Sequence, residues 1–229
     1  RMTAEDAAAA RTRLRAVASL SDLATAPAVL VEAVPERLEL KRDVLAAAAA
    51  LDPALLGSNT SSISIAELAA GLPAPERFIG LHFFNPVWVM ALLEIVVGPA
   101  TADATTAAAV ALAERLGKDP VVVRDMPGFA TSRLGIALGL EAIRMVADGV
   151  ASAADIDKAM TLGYRHPMGP LELTDVVGLD VRLDIARTLQ TAYGARFEPP
   201  PLLIDMVAAG HLGRKSGQGF YMWTDGRRS

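Results

Sequence analysis

Apolar runs of strand length alternate with stretches of helix length from Val29 to Val123, and after Asp125 no such run returns. That change of pattern is the strongest constraint on how the chain can fold. Val29–Val34, Leu55–Ser58, Arg77–Phe83, Ala91–Val97 and Pro120–Val123 read as strands, with helices from about Glu36 to Ala50, Ile65 to Ala70 and Thr101 to Leu116. Strands separated by helices of this length predict a parallel α/β sheet. The Val29–Val34 run is apolar enough to predict a strand buried on both faces. Upstream, Thr3-Ala4-Glu5-Asp6 predicts a capped helix running to about Leu14, then a short strand from Arg15 to Leu20. Beyond Asp125 five helices are predicted and no strand: Phe129–Asp148, Ala153–Met160 capped by Ser152, Pro170–Val176, Leu179–Tyr193 and Pro199–Ala209. The expected division is an α/β domain over residues 1–124 and an all-α domain over residues 125–229.

Composition narrows the chemistry. The chain is 52% hydrophobic and 21% charged with net charge −4, which gives no footprint for nucleic acid. It has no cysteine, which rules out disulfides, thiolate metal sites and a cysteine nucleophile. Three histidines, none at metal-ligand spacing from another donor, lead us to expect no metal. No stretch reads as a signal peptide or a membrane span, so a cytoplasmic location is expected.

The segment Gly80-Leu81-His82-Phe83-Phe84-Asn85-Pro86 puts one histidine at the end of an apolar run. In Leu92-Leu93-Glu94-Ile95-Val96-Val97 one carboxylate stands inside the next. A carboxylate in such a strand is costly unless it has a partner, and His82 is the nearest candidate along the chain. A histidine oriented by a carboxylate makes a general base near neutral pH. Taken alone, His82 also fits a satisfied core histidine, and Asn85-Pro86 also fits a simple turn.

Five segments occur together and in order: Ser58-Asn59-Thr60-Ser61-Ser62, Gly80–Pro86, Pro127-Gly128-Phe129, His166-Pro167-Met168-Gly169-Pro170 and Gly217-Gln218-Gly219-Phe220-Tyr221. With them the chain resembles the L-3-hydroxyacyl-CoA dehydrogenases, the 3-hydroxybutyryl-CoA type included, over essentially its whole length. The resemblance implies a Rossmann-like dinucleotide domain followed by a helical substrate and dimerisation domain. It implies NAD-dependent oxidation of a 3-hydroxyacyl-CoA to the 3-ketoacyl-CoA, or the reverse, in fatty-acid β-oxidation. By this resemblance His82 is the general base and Glu94 orients it. Ser61, Asn85 and Ser132 lie on the substrate side, and Glu36, Lys41 and Asn59 on the cofactor side. A homodimer through the helical half is also implied.

Two departures stand out. The G-x-G-x-x-G turn that holds a dinucleotide pyrophosphate at a helix N-terminus does not occur before Val29. The chain is therefore expected to begin after the first βαβ unit, about 50 residues short if that unit has its usual size of at least ~30 residues plus a helix. On that expectation the Val29–Val34 strand has an open apolar edge. The chain alone then binds NAD weakly or not at all, or recruits another copy or a swapped segment to cover the edge. Tight NADH binding by this chain alone overturns this expectation. Second, Ser132 stands where the family usually has Asn, a shorter group with one donor in place of two. Two other readings stay open: a dehydrogenase of a non-CoA hydroxy or sugar acid, and a dimerising fragment without activity.

Overall fold

The computed structural model describes residues 3–23 and 25–228. They fall into two compact units, Arg1–Thr60 with Ile65–Val122, and Ser61–Ser64 with Val123–Ser229.

The first unit opens with α1 (Ala4–Arg11), whose N-terminus is capped by Thr3 as expected: its hydroxyl oxygen accepts from the Asp6 amide at 3.1 Å. The strand expected over Arg15–Leu20 is absent. Ser19 instead caps a 3-10 turn at Leu20–Asp22, and Leu14 and Arg15 are exposed. Next come β1 (Val29–Glu32), α2 (Leu38–Ala49), β2 (Leu55–Ser58), α3 (Ile65–Ala69), β3 (Phe78–Phe83), β4 (Leu92–Val97), α4 (Asp103–Arg115) and β5 (Asp119–Arg124). The sheet order is β1-β2-β3-β4-β5. Strands β1, β2 and β3 pair parallel, as the alternation with helices predicts.

Strand β4 runs antiparallel to β3. The connection, residues 84–91, is too short for the crossover that a parallel pair needs, so the chain turns back alongside β3. A second correction concerns β1, which is not buried on both faces. Val29 and Val31 remain 36% and 37% exposed, and only Glu32 is buried. Among the described residues β1 has one neighbour, β2, and its other edge is open. The core of this unit lies further in: Ile79 and Leu81 of β3 and Leu93 and Ile95 of β4 pack with Ala109 and Ala113 of α4.

The second unit contains α5 (Thr131–Ala147), α6 (Ala153–Gly163), α7 (Pro170–Val177), α8 (Leu179–Tyr193) and α9 (Pro201–Ala208). On α5 the buried residues Ile136, Leu140 and Ile143 recur at helical spacing and form one apolar stripe. They pack with Ile156, Leu171, Leu179, Leu183 and Leu203 in one core. The expectation of no strand here is corrected by a small hairpin, β6 (Trp223–Thr224) with β7 (Arg227–Arg228). No helix among the described residues is long and apolar enough to cross a membrane.

Two buried carboxylates hold this unit together. Asp157 of α6 accepts from the Leu171 and Glu172 amides, each at 2.8 Å, and so caps α7 from a neighbouring helix. Pro170 at the first position of α7 needs no such partner. The Tyr221 hydroxyl also donates to Asp157 at 2.8 Å. Burial, together with that donation to a carboxylate, holds the phenol above its usual pKa. Asp175 of α7 accepts from the Phe220 and Tyr221 amides at 2.9 Å and from the Trp223 indole at 2.8 Å. A Cβ on Gly169 would stand 2.2 Å from Asp157 Cγ, and one on Gly219 2.2 Å from Asp175 Oδ1. Side chains there would displace the carboxylates, so both glycine-bearing motifs have a packing reason.

Candidate active site

Register decides the meeting of His82 and Glu94. The two residues stand directly opposite each other across the β3–β4 pair. Side chains at directly opposed positions leave the same face of a sheet at close range. His82 Nδ1 lies 2.9 Å from Glu94 Oε2. His82 is 7% exposed and Glu94 0%. With Glu94 ionised, the short contact makes Nδ1 the donor and leaves the lone pair of the neutral ring on Nε2. The Phe84 ring lies 4.4 Å from the imidazole, centroid to centroid, and covers one of its sides.

A polar network sews the carboxyl ends of β1, β2 and β3. Glu32 accepts from Ser58 Oγ at 2.6 Å and from Lys41 Nζ at 2.9 Å. Lys41 also donates to the Val34 carbonyl at 3.0 Å and lies 3.3 Å from Glu36. The Thr60 hydroxyl donates to Glu36 Oε1 at 2.6 Å. The Asn59 amide donates to the Glu32 carbonyl at 2.8 Å, and Asn59 Oδ1 accepts from the Phe83 amide at 2.8 Å. Residue 83 follows His82 directly, so the network ends beside the dyad.

Among the sequence-predicted residues, the structure therefore joins His82 to Glu94, Glu36 to Lys41, and Asn59 to the strand that carries His82. Lys41 is fully buried and its ammonium is committed to protein acceptors, whereas a third of the Glu36 side chain is exposed. Ser61 and Asn85 are exposed, and the Asn85–Pro86 peptide is cis. Ser132 is half-buried in the first turn of α5. Sequence reading missed Glu32. Its signal is the one that singled out Glu94, an acid within the apolar run Val29-Leu30-Val31-Glu32.

The connection 84–91 that joins the two dyad strands presents apolar side chains to solvent, with Trp88 86% exposed. Its base is fixed: Lys118 donates to the carbonyls of Val87 and Met90.

Comparison with known proteins gives the same picture from end to end. Residues 1–126 match the family described as 3-hydroxyacyl-CoA dehydrogenase, NAD binding domain, and residues 128–223 match its C-terminal domain. The 3-hydroxybutyryl-CoA dehydrogenase of Bradyrhizobium diazoefficiens is 44% identical over 223 residues, 96% of this chain and 76% of that protein. A probable 3-hydroxybutyryl-CoA dehydrogenase of Bacillus subtilis is 44% identical over 196 residues, 84% of this chain and 68% of that protein. The solved structure of (S)-3-hydroxybutyryl-CoA dehydrogenase from Ralstonia eutropha superposes with a TM-score of 0.92 at 42% identity, covering 98% of this chain and 80% of that one. On the fold and on both matched domains, the chain belongs to the 3-hydroxyacyl-CoA dehydrogenase family.

Proposed function

We propose that the chain interconverts a (S)-3-hydroxyacyl-CoA and its 3-ketoacyl-CoA with NAD, using His82 as the general base and Glu94 as the group that orients it. The observation that carries this reading is the 2.9 Å contact between His82 Nδ1 and Glu94 Oε2, both side chains buried. A neutral imidazole takes the substrate hydroxyl proton at Nε2 as C3 is oxidised. The resulting imidazolium is stabilised where it forms, because the ionised Glu94 already accepts from Nδ1 and favours the charged ring. Burial raises the value of that attraction relative to water.

NAD supplies the hydride acceptor when bound. The residues at the carboxyl ends of the parallel strands suit such a ligand, since open α/β sheets bind outside those ends. The Glu36 carboxylate is partly exposed there, anchored by Lys41 and Thr60. Asn59 commits its Oδ1 to Phe83, while its NH₂ has no hydrogen-bond partner among the described residues and remains able to donate to a ligand. In this reading Lys41 acts by holding Glu36 and Glu32 in place. Ser61, Asn85 and Ser132 contact the substrate, with the Ser132 hydroxyl doing so through a single donor. Leu134 on the outer face of α5 is 70% exposed, and Leu173, Val177 and Val181 are also exposed. Apolar groups of this kind fit the burial of a homodimer interface.

The test is a substrate panel followed by NADH absorbance, read as loss for acetoacetyl-CoA with saturating NADH and as gain for a gulonate-type sugar acid with saturating NAD. Acetoacetyl-CoA is expected to be reduced and a gulonate-type sugar acid, in the oxidative direction, to be ignored. Turnover of the sugar acid alone would falsify the CoA reading. Light scattering on the same preparation is expected to give the mass of a dimer, and a monomer there removes the dimer from the proposal.

A further inference from the structure

The helical unit contains a buried cation with no counter-charge. Arg182, in the first turn of α8, is 6% exposed. Among the described residues no hydrogen bond or ion pair reaches its guanidinium. Burial pulls its pKa down to about 10, which leaves it charged at neutral pH. A buried charge without a partner is strongly disfavoured, so its persistence needs a reason. Nε is sealed from solvent, but the two terminal nitrogens are not among the sealed, unpaired atoms. The open end of the fork can thus still be approached.

Glycines make the room that the fork occupies. A Cβ on Gly135 would stand 3.3 Å from Arg182 Nη1, and one on Gly139 4.0 Å from it. Both lie on α5, and Ser132 falls on the same side of that helix one turn nearer its N-terminus. Ser132, Gly135 and Gly139 form one line of small residues on α5, with the guanidinium beside its two glycines. The solvent-facing positions of α5, Leu134, Ala137 and Glu141, lie on the opposite side of the helix.

We propose that Arg182 is a specificity-determining residue that receives a carboxylate on the acyl part of the substrate, so that the chain acts on 3-hydroxyacyl-CoA esters whose acyl chain ends in a second carboxylate. The proposal rests on the dehydrogenase reading and on Ser132 contacting bound substrate. A planar fork with two accessible terminal nitrogens matches a flat, singly charged carboxylate through paired hydrogen bonds. The phosphates of CoA are separated from the thioester by the whole pantetheine arm, whereas the acyl chain begins at the thioester itself. The group that comes within reach of a fork one turn from Ser132 is therefore on the acyl side.

The experiment compares calorimetric binding of adipyl-CoA and hexanoyl-CoA, unreactive esters of equal chain length, to the wild-type chain, Arg182→Met and Gly135→Leu. Wild type is expected to bind adipyl-CoA about tenfold or more tightly than hexanoyl-CoA, the effect of one charge-assisted hydrogen-bonded contact. Arg182→Met is expected to bind the two esters alike. Gly135→Leu keeps the cation but pushes the fork aside, and is expected to lose the preference as well. Equal affinities in wild type overturn the proposal, as does a preference that survives in either variant. So does a change of oligomeric state in Arg182→Met, read by light scattering, when wild type shows no ester preference. Failure to reduce acetoacetyl-CoA alongside an intact adipyl-CoA preference counts against the dehydrogenase reading alone.

Discussion

Replacing His82 by Gln is expected to lower kcat for acetoacetyl-CoA reduction by roughly 10²–10⁴-fold, the usual worth of positioned acid–base catalysis, with little change in KM. Gln keeps a polar group of similar reach but cannot take up and release a proton near neutral pH. On the proposed mechanism His82 acts as the acid in this direction, donating from the ring that Glu94 orients. The companion variant Glu94→Gln removes the carboxylate and leaves the ring in place. With the imidazole no longer held by a carboxylate, kcat is expected to fall here too. Removing one member of a buried pair also strains the fold, because the other is left without its partner. Thermal unfolding of each variant separates that effect from chemistry. A folded His82→Gln protein with undiminished kcat would show that His82 is a core histidine and that the base lies elsewhere.

Asp175→Ala should be the most destabilising single change in the helical unit. The carboxylate is fully buried and accepts from two backbone amides and the Trp223 indole. Its removal leaves three donors without a partner, a loss of about 3–5 kcal/mol by the usual cost of unmade buried hydrogen bonds and charges. Urea unfolding followed by tryptophan fluorescence is a direct reading, because Trp223 touches the carboxylate while the chain's other tryptophan, Trp88, is exposed. Asp175→Asn, which retains one acceptor oxygen, should fall between the two. A loss under about 1 kcal/mol in Asp175→Ala would mean that water or a rearranged tail satisfies the donors, and that the clamp is dispensable.

The sequence was most readable where one residue type has one local job. Thr3 and Ser152 cap helices because their hydroxyls reach amides a turn away, and both do so here. The span Leu179–Tyr193 was read to the residue, and the structure bounds it with Gly178 and Gly194, both at positive φ. His82 and Glu94 were readable as a pair because an acid in an apolar strand demands a partner. Glu32 obeys the same rule, and Asp157 and Asp175 are its helical counterparts, buried acids with partners; all three were missed. Their partners, Lys41 and Ser58, the α7 amides, and the C-terminal tail, are set by tertiary packing that local patterns do not report. The direction of β4 was misread: helix–strand alternation predicts a parallel sheet, and the short 84–91 connection, which forces an antiparallel return, was not weighed. Arg182 was unreadable, since its significance depends on two glycines that face it from a helix far away in sequence.

The stitching of the sheet at Asn59 has a bearing on how such a protein can diverge. Through Glu32, Asn59 and Phe83, three adjacent strands are tied at their carboxyl ends, and the strand bearing His82 is one of them. His82 therefore rides on a border where a substitution at one strand end is felt at the next. The neighbouring connection is held by Lys118 at backbone carbonyls, which a residue of any type supplies. Val87, Trp88, Val89 and Met90 lie outside the cross-strand register that joins His82 to Glu94. A lineage is thus free to redraw the surface beside the dyad while inheriting its chemistry unchanged.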